Sequence, residues 1–211
     1  MKLYLIVEGD GEVGAAPVLL RRLLSEANCF SVDVGRPIRK KQADFRNKER
    51  LQKAVKLTLL QPDCAGIIIL FDGEDDCPKS VADDARLWAS EVLPQGILCD
   101  VVVAYREYET WFLSSLESLR GKCEIRNDAE TPEMPESRRG SKEWLEEFMP
   151  TNRAYKETID QAKLSDAFDM GVAYRRNRSF RKMVKAVGDI LSQIGVQLPN
   201  WPPTAWADAA E

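Results

Sequence analysis

Three unbroken apolar runs stand out in the first half of the chain: residues 3–7, 67–71 and 101–105. Runs of this length without polar alternation fit strands covered on both faces, the habit of parallel sheets. A fourth, weaker run over residues 30–34 predicts another strand. Helical spacing lies between them. Pro17 suits the first turn of a helix, and residues 18–24 continue it with apolar positions on one side. Residues 44–60 place Leu51, Val55 and Leu59 on one stripe, and residues 80–92 fit a helix capped by Ser80 and stopped before Pro94. Alternating strands and helices predict an α/β fold, a mostly parallel sheet of about four strands flanked by helices, with right-handed crossovers.

The pattern changes after residue 110. A short amphipathic stretch covers residues 110–119, and residues 121–140 are rich in Pro, Glu, Ser and Arg with no apolar period, which predicts a mobile loop. Short helices are expected over 141–149 and 158–168, and a longer one over 179–194 with Phe180, Val184, Val187 and Leu191 inward. The tail cannot continue a helix through Pro199, Pro202 and Pro203, so Trp201 should pack back on the domain. The expected organisation is an α/β core at 1–120, a mobile loop at 121–140 and a helical C-terminal extension at 141–211. A chain of 211 residues is long enough for one substantial core.

Composition narrows the chemistry. A net charge of −4 argues against a protein that coats nucleic acid by charge alone, so such binding would have to be local. There is no histidine, which removes Ser-His and Cys-His catalysis and almost all catalytic zinc sites. The 5 cysteines are scattered, with neither a CxxC motif nor zinc-ligand spacing. The first apolar run is too short for a signal peptide and is followed at once by acids, and no run approaches a membrane span, so a cytoplasmic protein is expected.

Within that frame the position of the acids becomes informative. Glu8 and Glu12, then Asp72, Glu74 and Asp76, then Glu107 and Glu109, each follow directly on a predicted strand. Strand ends of a parallel sheet converge along one edge, where acids distant in sequence can meet. Gly9 and Gly11 allow a tight turn that could aim Glu8 and Glu12 at one locus. Asp72 and Glu74 are two residues apart and would point the same way if strand geometry persisted. Carboxylate oxygens suit Mg²⁺ or Mn²⁺. The alternative is solvated acidic turns, with Glu12, Glu107 and Glu109 serving helix N-termini. Basic residues gather at 36–41, at Arg138, Arg139 and Lys142, and at Arg175, Arg176, Arg178, Arg181 and Lys182, where they can hold phosphates or simply solubilise a face.

A strand ending in Glu-Gly and a later strand ending in an acid-x-acid pair resemble the Toprim domain of primases, topoisomerases and the overcoming-lysogenization-defect nucleases. A closer likeness is to the Toprim-like bacterial domain-of-unknown-function family 4276. It is carried by Val7 to Glu12 with Pro17 to Arg22, by residues 72–78, by Arg106 to Leu113, by residues 155–161 and by Ser179 to Lys182. The resemblance implies Glu8 as the Toprim glutamate, Asp72 and Glu74 as the acid pair, Glu12 as a further metal ligand and Lys142 as an assisting lysine. Asp76, Glu107 or Glu109 would complete the shell. Glu74 stands where aspartate is usual, and Asp10 where histidine is expected. The implied function is a Mg²⁺- or Mn²⁺-dependent phosphoesterase, foremost a nuclease acting on DNA or RNA. Arg175, Arg176, Arg178, Arg181 and Lys182 would bind nucleic acid. The resemblance also implies an ATPase partner and a role in bacterial anti-phage defence. The alternative is a non-catalytic subunit that binds nucleic acid or protein in an ATPase-containing complex.

Overall fold

The computed structural model describes residues 1–207; positions 208–211 of the expected extension lie outside the described residues. The long strands are β1 (Lys2–Val7), β4 (Cys64–Asp72) and β5 (Leu98–Ala104), and two short ones, β2 (Asp33–Val34) and β3 (Ile38–Arg39), follow one another along the outer side of β1. All pairings are parallel, in the order β2-β1-β4-β5 with β3 also on β1. The apolar runs are these central strands, and their side chains divide by parity. Leu3, Leu5, Val7, Ile68, Leu70 and Val102 join one core, while Ile6, Ile67, Ile69, Phe71, Val101 and Val103 join the other. Both faces are buried, as unbroken apolar runs require.

One face is covered by α1 (Asp10–Glu26) and α9 (Arg178–Gln193), with α7 (Ala162–Ala167) packed against α1; the other by α3 (Lys48–Leu59) and α4 (Pro78–Ser90). The chain after residue 140 shares its hydrophobic cluster with β1 and α1, so its helices close the sheet's first face. Trp111, on the short α5 (Thr110–Leu113), anchors this seam: its indole N–H donates to Ser179 Oγ at 2.8 Å and its ring meets Phe180 edge-on.

Several boundaries differ from expectation. Helix α1 begins at Asp10, so Pro17 lies inside it and Glu12 belongs to its first turn. Strand β2 is only two residues, and Phe30 is 79% exposed. The predicted 44–60 helix is two, α2 (Gln42–Phe45) and α3, because Asn47 leaves helical geometry and caps α3 by accepting the Arg50 N–H. Helix α4 starts with Pro78 at N1 rather than with Ser80 as its cap. Residues 110–119 form α5 and a 3₁₀ turn (Leu116–Leu119) whose apolar side chains are all buried. Residues 121–140 hold no helix or strand, yet Ile125 and Ala129 are buried in the main core. The remaining helices are α6 (Ser141–Glu146), α8 (Met170–Arg176) and α10 (Thr204–Ala207), with a π turn (Glu157–Gln161) leading into α7. Trp201 donates its indole N–H to the Val184 carbonyl at 3.1 Å and lies against Gly188.

At Gly66, Ile190 of α9 packs directly on the backbone of β4. A Cβ there would collide with Ile190 Cγ2 and stand 3.1 Å from Leu3. Gly66→Ala should therefore destabilise the protein by about 1–3 kcal/mol through overpacking, read as a lower urea midpoint with unchanged slope. An unchanged midpoint would mean that α9 is not held against β4 at this point.

Candidate functional site

β1 and β4 run side by side, with Val7 opposite Leu70, so Glu8 and Asp72 emerge together at the carboxyl edge of the sheet. The Asp72 N–H donates to Glu8 Oε2 at 3.2 Å, and Asp72 Oδ1 accepts the Tyr108 N–H at 3.0 Å. Glu12 comes from the first turn of α1 and accepts the N–H of Gly9, the N-cap. Gly9 and Gly11 are needed here because a Cβ on the first would strike the Glu12 carboxylate and one on the second the Gln161 amide.

Glu109 completes the group from the N-cap of α5, at 0% exposure. Gln161 Nε2 donates to Glu12 Oε1 at 2.9 Å and to Glu109 Oε1 at 3.1 Å, and Tyr155 Oη donates to the same Glu109 oxygen at 2.7 Å. Glu109 Oε2 is buried without a hydrogen-bond partner. Lys142, from α6, places its ammonium 2.6 Å from Glu157 Oε1, while its N–H donates to Glu107 Oε2 at 3.1 Å. The π turn supplies Glu157 and Gln161 from one short segment; such turns recur where backbone geometry serves a site.

Carboxylates outnumber cations in this space. Burial, opposed by the Asp72 N–H and aided by Glu12, raises Glu8 from its ordinary 4.5 to about 7. Burial also raises Glu109 to about 7, against the opposing pull of Lys142 and Tyr155. Asp72 is pushed well up by desolvation and then by Glu109, Glu12 and Glu8. Loss of solvent disfavours the Lys142 charge, but Glu109, the hydrogen bond to Glu157 and Asp72 outweigh it and push Lys142 up. The centre therefore carries an excess of negative charge that it relieves by holding protons.

The predicted acids divide accordingly. Glu8, Glu12, Asp72 and Glu109 are brought together; Glu107 stands beside them on the Lys142 amide. Glu74 is not drawn in. Strand geometry ends at Asp72, Glu74 takes a left-handed φ of 46°, and its side chain is exposed. Asp76 is an exposed partner of Arg46 at 2.7 Å. Of the predicted nucleic-acid contacts, Arg181 is held by the Tyr174 and Arg175 carbonyls and Arg176 by Glu117 and the Ser114 carbonyl. Arg175 lies 3.5 Å from the Trp206 carbonyl. Arg178, Arg181 and Lys182 line an outer groove of about 550 Å³ with Tyr174 and Trp201. Tyr155, Glu157, Gln161 and the Tyr108 amide were given no role by sequence reasoning. Residues 155–161 did stand out as a motif, but its role requires knowing that the chain returns to the sheet edge.

Among the described residues, no three His, Cys, Asp or Glu side chains converge closely enough to hold a metal ion. The donor set nevertheless fits Mg²⁺ or Mn²⁺ chemically: all oxygen, crowded, short of positive charge and with Glu109 Oε2 unpartnered. In class, then, this is a parallel α/β protein with buried carboxylates at the sheet's carboxyl edge. A family model described as domain of unknown function (DUF4276) matches residues 7–188, and the chain belongs to that family. No curated protein and no solved structure matches. No helix among the described residues is long and apolar enough to cross a membrane.

Protonation makes the centre pH-sensitive. Unfolded glutamates lose their protons near 4.5 and the folded Glu8 and Glu109 near 7, so the metal-free folded state binds more protons across that window. Stability should fall as pH rises from 4.5 to 7, and Glu8→Gln should flatten the decline. Urea midpoints measured across this range check it; a difference between wild type and Glu8→Gln that stays flat or rises with pH would contradict it.

Proposed function

We propose that this protein is a Toprim-like, Mg²⁺- or Mn²⁺-dependent phosphoesterase, foremost a nuclease. The observation that supports it most is the meeting of Glu8, Glu12, Asp72 and Glu109, from four separate segments, beside the half-buried Lys142 and with Arg46 near Glu8. Buried carboxylates are costly unless paired or protonated, and a cation could replace the protons that this excess now holds.

Glu8 and Asp72 are the best placed to hold an ion, with Glu12 and Glu109 flanking them. When bound, Mg²⁺ or Mn²⁺ supplies Lewis acidity and a nucleophilic water at neutral pH. Tyr155 and Gln161 both donate to Glu109 Oε1, which leaves Oε2 free as an acceptor. Gln161 also ties Glu109 to Glu12, so the two carboxylates keep a fixed relation. Lys142 stays protonated among Glu109, Glu157 and Asp72, where its ammonium can neutralise charge on a phosphoryl oxygen. Protons held by Glu8 and Glu109 would be released on loading.

The second reading, a non-catalytic subunit that binds nucleic acid or protein within an ATPase-containing complex, is favoured by the exposed, turned-away Glu74. Incubating supercoiled DNA, single-stranded DNA and RNA with Mn²⁺ separates the two. The enzyme reading expects cleavage that is abolished by Asp72→Asn and lowered roughly 10–100-fold by Gln161→Leu. Calorimetric Mn²⁺ binding that is lost in Glu8→Gln would accompany it. Cutting that survives Asp72→Asn, or no cutting of any substrate, excludes catalysis at this centre.

A further inference from the structure

The carboxylate centre is ringed by arginines from four segments. Arg39 ends β3 opposite Val7, and its Nε lies 2.9 Å from Asp10 Oδ1. Arg46 follows α2, close enough to Glu8 to favour its charge; its Nη2 is 2.7 Å from Asp76 Oδ2 and its guanidinium lies over the Phe71 ring. Arg106 precedes Tyr108, the residue whose amide holds Asp72, and reaches Asp75 at 2.7 Å. Arg139, just before α6, meets the other Asp75 oxygen at 2.6 Å.

Two features set these ion pairs apart from ordinary surface pairs. The aspartates Asp10, Asp75 and Asp76 are 64%, 54% and 49% exposed, so each bond is open to exchange with solvent or with another anion. Arg46 Nη1 and Arg106 Nε, by contrast, are buried with no hydrogen-bond partner. A buried guanidinium nitrogen without an acceptor is costly, and a phosphate oxygen could satisfy it. The planar fork of arginine also matches phosphate in two-bond geometry better than lysine does. Within the later basic cluster, Arg176 and Arg181 are already committed to carbonyls and to Glu117.

We propose that Arg39, Arg46, Arg106 and Arg139 form a clamp for the phosphodiester backbone of a nucleic-acid strand, with Asp10, Asp75 and Asp76 as exchangeable placeholders that the strand displaces. This rests on the phosphoesterase reading of the adjacent carboxylates. Arg39 at Asp10, Arg46 at Asp76 and Arg106 with Arg139 at Asp75 mark three anion positions, which suit successive phosphates of a strand, whereas a single phosphate needs one.

Binding of a fluorescently labelled single strand, DNA and RNA in parallel, is measured by anisotropy in EDTA so that no cleavage occurs. Arg39→Gln and Arg106→Gln should each weaken binding roughly tenfold and lower the salt slope by about 1. Removing the placeholders with Asp75→Asn and Asp76→Asn together should tighten binding, a gain that damage to the fold cannot mimic. The charge-matched pair Asp83→Asn and Asp189→Asn should leave affinity unchanged. Arginine variants that bind like wild type, no tightening in the aspartate variant, inorganic phosphate competing as well as the strand, or no binding by wild type each overturn the clamp. Cleavage with Mn²⁺ is scored separately. Arginine-dependent binding without cleavage keeps the clamp and sinks the nuclease, and cleavage with unaltered binding in the arginine variants does the reverse.

Discussion

Everything at the carboxyl edge depends on one electrostatic constraint: four carboxylates crowd a largely desolvated space, with only Lys142 and Arg46 as cations that favour their charge. Glu8, Asp72 and Glu109 cannot all ionise there cheaply, and burial lifts Glu8 and Glu109 to about 7. The surrounding structure bears on that constraint. Backbone amides of Gly9, Asp72 and Tyr108 donate to three of the acids, Gln161 bridges two, and Tyr155 fixes the fourth. Even the glycines of the first turn serve it, since side chains at Gly9 and Gly11 would push into Glu12 and Gln161.

The parallel sheet makes this crowding possible. β1 and β4 deliver Glu8 and Asp72 to the same edge because their register is fixed by buried side chains of alternating face. The C-terminal half then does two jobs at once. Its helices cover one face of the sheet through Trp111, Phe180 and their neighbours, and its π turn brings Glu157 and Gln161 over the sheet edge. A helix pair that only covered the sheet would not need a polar glutamine at 0% exposure facing two acids.

Much of the fold was legible in the sequence, because strands buried on both faces leave runs such as Ile67 to Phe71 that no solvent-facing element tolerates. Boundaries were less legible where local chemistry competes: Pro17 is tolerated inside α1, and Asn47 splits one amphipathic stripe into two helices. At the site, Glu8 and Asp72 were readable from their place after strands. Glu74 misled because alternation holds only while strand geometry lasts, and a left-handed residue ends it. Gln161 and Tyr155 could not be placed, since their partners lie 149 and 46 residues away and only the tertiary fold joins them. Half of the arginine rim was equally hidden: Arg46 and Arg106 lie outside the basic clusters that hold Arg39 and Arg139.

The crowded carboxylates are proposed to form a divalent-cation site. Anomalous diffraction at the manganese edge, from crystals grown with Mn²⁺ near pH 8, tests it most directly. The account predicts a peak bonded to carboxylate oxygens of Glu8 and Asp72, absent from Asp72→Asn crystals. Fully ordered side chains with no peak, or a peak elsewhere that Asp72→Asn leaves intact, would contradict it.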